Sequence, residues 1–276
     1  RRRHTRFKCD WSSDVCSSDL YSLDHIGTLT RTVRDNALML DVIAGYDAQD
    51  PGSANRAMGG YTAQLGRDIT GIRIGVIRHF YTQDMQADDE MTASIDNAVK
   101  QLAALGADVR EVTTAPLTEY QACNRIILGS EAFAVHEKWM RERPQDYGAL
   151  ARERLMAGAF VRAADYINAT RLRRKMTDAF HALFRDVDVI VTASAMDPAC
   201  RIDDAKAIEY TYGRQARGAF NVTGSPAMSV PTGFTESGLP LGMQIVGKPF
   251  SEALIYRVAH AYEQSTDWTH QHPTLL

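Results

Sequence analysis

Apolar side chains divide the first half of the chain into short, regular segments. Residues 33–46 carry apolar side chains at near-helical spacing, which predicts a helix. Alternating apolar residues at 71–78 and 107–112 predict two strands. Between them, residues 91–105 predict a helix with Asp89 as its cap. A strand–helix–strand unit of this kind favours an α/β class with at least some parallel pairing.

The second half continues the same alternation of helices and strands. Residues 117–184 are rich in Ala, Arg, Glu and Met and contain one proline, which predicts a mainly helical region. Residues 187–193 are almost continuously apolar, as expected of a strand buried on both faces. Two further strands are predicted at 225–234 and 241–246, followed by a helix at 251–263.

Composition and charge narrow the range of partners. The formal net charge is −3, so no basic face for nucleic acid is expected. No apolar run reaches the roughly 20 residues that a membrane span requires. Cys123 and Cys200 are far apart, which argues against a disulfide framework or a metal site and for a reducing, cytoplasmic compartment. No phosphate-binding or metal-binding motif occurs, so neither a cofactor nor a metal is predicted.

The first twenty residues have an unusual sequence. Asp10–Leu20 reads DWSSDVCSSDL, the translation of one end of a short-read sequencing adapter, and Arg1–Arg6 fit the same oligonucleotide in the same frame. A basic targeting segment or a disordered tail fits less well, because no apolar stretch follows the arginines and the Ser/Asp run is not amphipathic. We therefore expect residues 1–20 to be non-native and to pack against nothing, with the natural reading frame beginning upstream.

No complete catalytic arrangement follows from the residue pattern alone. Ser225 lies between Gly224 and Pro226, but no base stands at a defensible spacing, so we interpret it as structural. The basic cluster at 171–175 is typical of the solvated face of a helix. A non-catalytic binding or interaction module on an α/β scaffold therefore remains an alternative to an enzyme.

Several blocks of the chain resemble the amidase signature family, and they occur in that family's order. The late blocks are similar to its F-N-x-(T/S)-G-x-P-A-x-S-(V/I)-P-x-G and G-L-P-x-G-x-Q-(I/L)-(V/I)-G patterns. The blocks are SLDHIG at 22–27 with LTRTVRD at 29–35, VDVIVTASAMDPA at 187–199, FNVTGSPAMSVPTG at 220–233, and GLPLGMQIVG at 238–247.

The resemblance implies the amidase signature fold, a mixed β-sheet flanked by helices, and hydrolysis of small-molecule carboxylic amides. The family uses a serine nucleophile, a serine in cis geometry and a lysine, all upstream of the SLD block. None of the three is in this chain, so no catalytic residue is predicted. Residues 21–276 are expected to be the C-terminal part of an amidase domain whose N-terminal catalytic part is missing. We expect this fragment to be inactive and poorly stable, with residues 187–193 and 227–230 lacking neighbours. A homodimer is left open.

The resemblance also implies substrate-binding residues. Arg154 precedes a hydrophobic–hydrophobic–x–Gly turn, as does the substrate-binding arginine in the catalytic component of the family's glutamine-using tRNA amidotransferases. The alternative for Arg154 is an exposed helix arginine. Asn221 matches the family's late asparagine, with a buried turn residue that bonds its own backbone as the alternative. Arg214 stands where the amidotransferase component has an aspartate, which favours a general or specialised amidase over that component.

Overall fold

The computed structural model describes residues 20–50 and 52–271. Within these ranges, five strands form a mixed sheet in the order β2-β1-β3-β5-β4. β1 is parallel to both β2 and β3, whereas β5 is antiparallel to both β3 and β4. The predicted parallel pairing is thus confirmed. The strands are β1 (Arg73–Val76), β2 (Asp108–Glu111), β3 (Val189–Ala193), β4 (Ala227–Phe234) and β5 (Pro240–Gly247).

Helices flank this sheet, as the resemblance implied. The helical middle region is confirmed as α3, α4 and α5, whereas the short helices α6 and α7 were not predicted from the sequence. The helices are α1 (Val33–Ile43), α2 (Asp89–Ala104), α3 (Leu117–Glu142), α4 (Ala149–Gly158), α5 (Ala163–Ala182), α6 (Ala205–Tyr212), α7 (Arg217–Thr223) and α8 (Glu252–Gln264). No helix in the described part of the chain is both long and apolar enough to cross a bilayer.

Helix α2 begins two residues earlier than the sequence predicted, and its cap lies one residue earlier. Asp88, not Asp89, is its N-cap, and its carboxylate accepts hydrogen bonds from the backbone N–H groups of Glu90 and Met91. Two orphan donors of the first turn are thereby satisfied. Asp89 instead occupies the first turn, where a negative charge is favoured by the helix dipole.

The core is continuous across the sheet. Every residue of β3 is buried, and so is Val187, so the expectation that residues 187–193 lack neighbours is wrong. α2 and α8 pack against β4 and β5, while α3 and α5 pack against α7. β4 lies at an edge of the sheet, where Ala227, Ser229 and Pro231 are exposed. Among the described residues β4 therefore has a strand neighbour on one side only, β5.

A close crossing of two helices fixes the position of α4. At Gly158, the last residue of α4, an added Cβ would overlap the carbonyl oxygen of Gly129 on α3 and lie 2.7 Å from Cβ of Phe133. The two backbones can approach this closely because Gly158 has no side chain, whereas a Cβ at Gly129 would lie 3.7 Å from the Gly158 Cα, an ordinary contact. The position of α4, and of Arg154 on it, therefore depends on this contact.

The predicted adapter segment falls almost wholly outside the described residues. Its last residue, Leu20, is half-buried and packs against the core, and its carbonyl accepts hydrogen bonds from the N–H groups of Leu23 and Asp24. The expectation that the segment packs against nothing is therefore wrong at Leu20. Residues 1–19 lie outside the described ranges. For these residues, including the apolar Trp11 and Val15, the expectation stays a prediction.

Candidate functional site

An open cavity of about 590 Å³ lies beyond the carboxyl end of β3. Three segments form most of its wall: residues 194–200 after β3, residues 229–231 of β4 and residues 240–242 of β5. Met91, Thr211 and Gln215 complete the lining. The volume lies within the roughly 300–1,000 Å³ that is usual for small-molecule sites.

The backbone after β3 explains why the cavity is there. Past Ala193 the chain leaves the sheet and pairs with residues 214–216 instead. Met196 N–H donates to the Arg214 carbonyl at 2.9 Å, and Ala216 N–H donates to the Ser194 carbonyl at 3.1 Å. Because residues 194–196 turn away, the space beside the ends of β4 and β5 stays open.

The polar groups of the cavity are few and mostly uncharged. The hydroxyl oxygens of Ser194, directly after β3, and Ser229, within β4, lie 3.2 Å apart. The Cys200 sulfur lies 3.5 Å from the hydroxyl of Thr211, which donates to the Ala207 carbonyl at 2.8 Å. The rest of the wall is largely Ala, Pro, Met, Val and Leu.

An ion pair lies at one side of the cavity. Arg214 bonds both carboxylate oxygens of Asp197, from Nε at 2.6 Å and from Nη2 at 3.1 Å. Nη2 also donates to the Gln86 carbonyl at 2.6 Å, and the guanidinium stacks 4.8 Å from the ring of Tyr210. The hydrogen bond to Asp197 raises the pKa of Arg214 above its ordinary value. Arg214, which departs from the family pattern in the sequence, is therefore a paired and fixed charge.

Arg154 lies beside the cavity rather than in its wall. It is exposed on α4, with its guanidinium carbon 4.0 Å from the ring centroid of Tyr212. Tyr212 follows the lining residue Thr211 at the end of α6. The cation–π contact links α4 to α6, and such contacts contribute about 0.5–1 kcal/mol at exposed positions.

Asn221 is a link between two distant segments. It lies half-buried on α7, and its Nδ2 donates to the Leu23 carbonyl at 2.7 Å. The alternative of a turn residue that bonds its own backbone is therefore wrong. Asn221 does not line the cavity, so the structure places it and Arg154 in different surroundings.

Arg173 reinforces this link, although no local sequence pattern distinguishes it from its basic neighbours. It lies half-buried on α5 and donates to the Val222 carbonyl at 2.8 Å, to the Asn221 carbonyl at 3.3 Å and to the Ser22 hydroxyl at 2.7 Å. Ser22 in turn donates to Glu131 through its N–H at 3.0 Å and through its hydroxyl at 2.5 Å.

These contacts correct the interpretation of the basic cluster at 171–175. Arg171, Arg174 and Lys175 are exposed, as predicted. Arg173 is instead a structural anchor that holds the SLD block against α7. The chain therefore joins two of its family-resembling blocks, at 22–27 and 220–233, through half-buried hydrogen bonds.

Ser225 has a histidine neighbour that the sequence did not reveal. Its hydroxyl lies 3.4 Å from Nε2 of His181 and accepts a hydrogen bond from Thr223 at 3.0 Å. Burial lowers the pKa of His181 below its ordinary 6.5, which keeps the imidazole neutral. Ser225 is only 1% exposed and does not line the cavity, so a substrate has no access to it.

Comparison with known proteins identifies the family to which this chain belongs. The amidase family model matches residues 14–256. The A-type subunit of the glutamyl-tRNA(Gln) amidotransferase of Thermodesulfovibrio yellowstonii is 35% identical, covering 92% of this chain and 57% of its own length. An amidase of Pseudomonas putida is 34% identical, covering 94% of this chain and 57% of its own length. The chain thus spans little more than half the length of these relatives.

A solved structure supports the same assignment. It belongs to a vestigial protein complex described as revealing the evolutionary origins of an s-triazine catabolic enzyme. The TM-score is 0.79 at 28% identity, over 90% of this chain and 55% of that one. The fold is therefore that of amidase signature enzymes. The chain belongs to the amidase family, whose members include hydrolases that act on carbon–nitrogen bonds.

Proposed function

We propose that this chain is the C-terminal part of an amidase that hydrolyses small-molecule amides, R–CO–NH₂ + H₂O → R–COO⁻ + NH₄⁺. In this proposal residues 21–276 belong to the amidase domain, and residues 1–20 derive from a sequencing adapter. The serine nucleophile, the cis serine and the lysine are supplied upstream, where the family resemblance places them. The neutral lysine accepts a proton through the bridging serine and so activates the nucleophile. The enzyme acts in the cytoplasm and needs no cofactor, nucleic acid or membrane.

The proposal rests on which parts of the sequence form the cavity wall. Its three main segments, residues 194–200, 229–231 and 240–242, fall in or directly follow three of the blocks that resemble the family. Three of the blocks that resemble amidases therefore meet around one space of suitable size for a small molecule. This supports a substrate-holding role for the C-terminal part, with Arg154 beside the cavity and Asn221 acting at a distance, through its hydrogen bond to the SLD block.

The second candidate is the catalytic component of a glutamine-using tRNA amidotransferase. The T. yellowstonii relative carries that name and favours it. Arg214 speaks against it, because this arginine stands where that component has an aspartate and is already bound to Asp197 through both carboxylate oxygens. A gene for a second amidotransferase component beside the complete gene would favour this candidate.

The experiment compares this chain with the longer protein encoded by the source DNA. Both are assayed for ammonia release from aliphatic and aromatic amides and from glutamine. We expect the longer protein to hydrolyse amides and this chain to show background rates, because loss of every member of a catalytic unit costs orders of magnitude. Activity of this chain alone, abolished by a point change within it, would overturn the proposal. A longer protein that releases ammonia from glutamine alone would favour the amidotransferase component.

A further inference from the structure

We propose that the cavity beyond β3 receives an uncharged, mainly apolar part of the amide substrate, and that the Arg214–Asp197 ion pair excludes anionic groups from it. The inference rests on the proposed amidase function and adds the substrate class that this site takes. It depends on three features of the described residues: the apolar wall, the neutralised ion pair and the paired hydroxyls of Ser194 and Ser229.

The apolar wall is the first feature. Met91, Pro198, Val230, Pro231 and Leu241 present carbon surface to a space of about 590 Å³. Burying an apolar group against such a wall is favourable by about 25 cal/mol for each Å² removed from water. A charged group placed there would lose hydration that these side chains cannot replace.

The ion pair is the second feature. Nε and Nη2 of Arg214 already donate to Asp197 and to the Gln86 carbonyl, so an anion entering beside Arg214 meets a guanidinium whose charge is balanced by the Asp197 carboxylate. Both side chains of the pair are about one-fifth exposed, at 19% and 18%. Displacing Asp197 would leave a partly desolvated carboxylate without its partner, which is costly. A cation meets the same obstacle, because the Asp197 carboxylate is already bound to Arg214.

The hydroxyl pair is the third feature. Ser194 and Ser229 lie 3.2 Å apart and share one hydrogen bond, so a second hydroxyl hydrogen is available for an acceptor in the cavity. A neutral carbonyl or ether oxygen suits such a donor. The site therefore combines apolar contact with one hydrogen bond, which favours a neutral aryl or alkyl group over a free amino acid.

Cys200 offers a readout that does not depend on turnover. Cys200 is half-buried in the cavity wall, whereas Cys123 is buried in the core. A bound molecule should shield Cys200 from N-ethylmaleimide. Labelling of the Cys200 peptide is followed by mass spectrometry, with free glutathione added to the same sample as the measure of reagent strength.

The probes are benzamide and benzoate, which have the same shape and differ in charge. We expect saturating benzamide to slow labelling of Cys200 about tenfold, and benzoate at the same concentration to leave it unchanged. Asp197→Asn removes the balancing charge from Arg214, so benzoate should then protect Cys200. Asp203→Asn is the matched control, because Asp203 forms a similar pair with Arg201 that is exposed and outside the cavity.

Each outcome decides the inference. Protection of the parent chain by benzoate equal to that by benzamide would overturn it, as would protection by neither probe. These two results need no variant and so do not depend on how Asp197→Asn folds. The same labelling on the longer protein separates the two proposals. Amide hydrolysis without benzamide protection defeats this inference alone, whereas protection without hydrolysis defeats only the amidase function.

Discussion

Arg173 fastens the SLD block to α7, and its guanidinium geometry is what allows this. One planar group donates to Ser22, Asn221 and Val222 at once. A lysine ammonium is a single point and cannot span these acceptors. We expect Arg173→Lys to lower the free energy of unfolding by about 1–3 kcal/mol, because buried acceptors lose their donors. Urea unfolding measures this, with Arg174→Lys, on the exposed face of α5, as the control that should change little. Equal effects of the two substitutions would contradict the anchoring role.

His181 predicts a dependence of stability on pH. Burial lowers its pKa in the folded chain below the ordinary 6.5, so the unfolded chain binds the proton more readily. The contribution of His181 is therefore complete above pH 6.5 and is lost as the pH falls from 6.5 to the lowered folded pKa. Unfolding free energies measured from mildly alkaline to mildly acidic pH should show this loss. His181→Gln should reduce the slope, whereas His25→Gln, at an exposed histidine, should retain it. A slope unchanged by His181→Gln would refute this assignment.

At the scale of elements, the crossing of α3 and α4 leaves no space for a side chain at Gly158. A Cβ at Gly158 would overlap the Gly129 carbonyl oxygen, and backbone cannot move aside as a flexible side chain can. We expect Gly158→Ala to lower the free energy of unfolding by about 1–3 kcal/mol through overpacking. Gly148→Ala, at the other end of α4, meets nothing within 4 Å and should cost far less. Thermal unfolding of the two variants makes the comparison, and similar midpoints would contradict the close crossing.

The elements that the sequence predicts are those with a long apolar pattern or an almost uninterrupted apolar run. The buried run of β3 and the amphipathic pattern of α2 are local signals, and both were predicted. α6 and α7 are eight and seven residues long, so their apolar pattern is too brief to read. α7 is held by Arg173 from α5, a contact that no local pattern reveals.

The candidate site was predictable only in part, for a similar reason. Arg214 stood out as a departure from the family pattern, and Asn221 and Arg154 as matches. The partners of these residues could not be predicted. Asp197 lies 17 residues from Arg214, and Leu23 lies 198 residues from Asn221. Only the turn after β3 brings the first pair together, and only the complete fold joins the second.

At the scale of the whole molecule, α1 leaves apolar surface exposed. Leu38 and Val42 are 46% and 84% exposed, and with Met39 and Ile43 they line a shallow groove of about 320 Å³. Exposed apolar patches of this kind promote self-association. We expect Val42→Lys to reduce light scattering by concentrated samples of the chain. Ala164→Lys, which adds the same charge to the exposed surface of α5, is the matched control. A well-defined dimer that survives Val42→Lys would contradict association through this groove.

The Asn221–Leu23 bond also has a consequence for how the chain folds. It closes a loop with a sequence separation of 198 residues, and closing a loop of that length costs about 5 kcal/mol of chain entropy. Leu23 leaves the ribosome long before α7 is made, so the SLD block must wait for most of the chain to be synthesised. During that interval the early segment is a target for proteases, and it gains protection only when α7 emerges. Protease resistance should therefore arise in the SLD block and in α7 together.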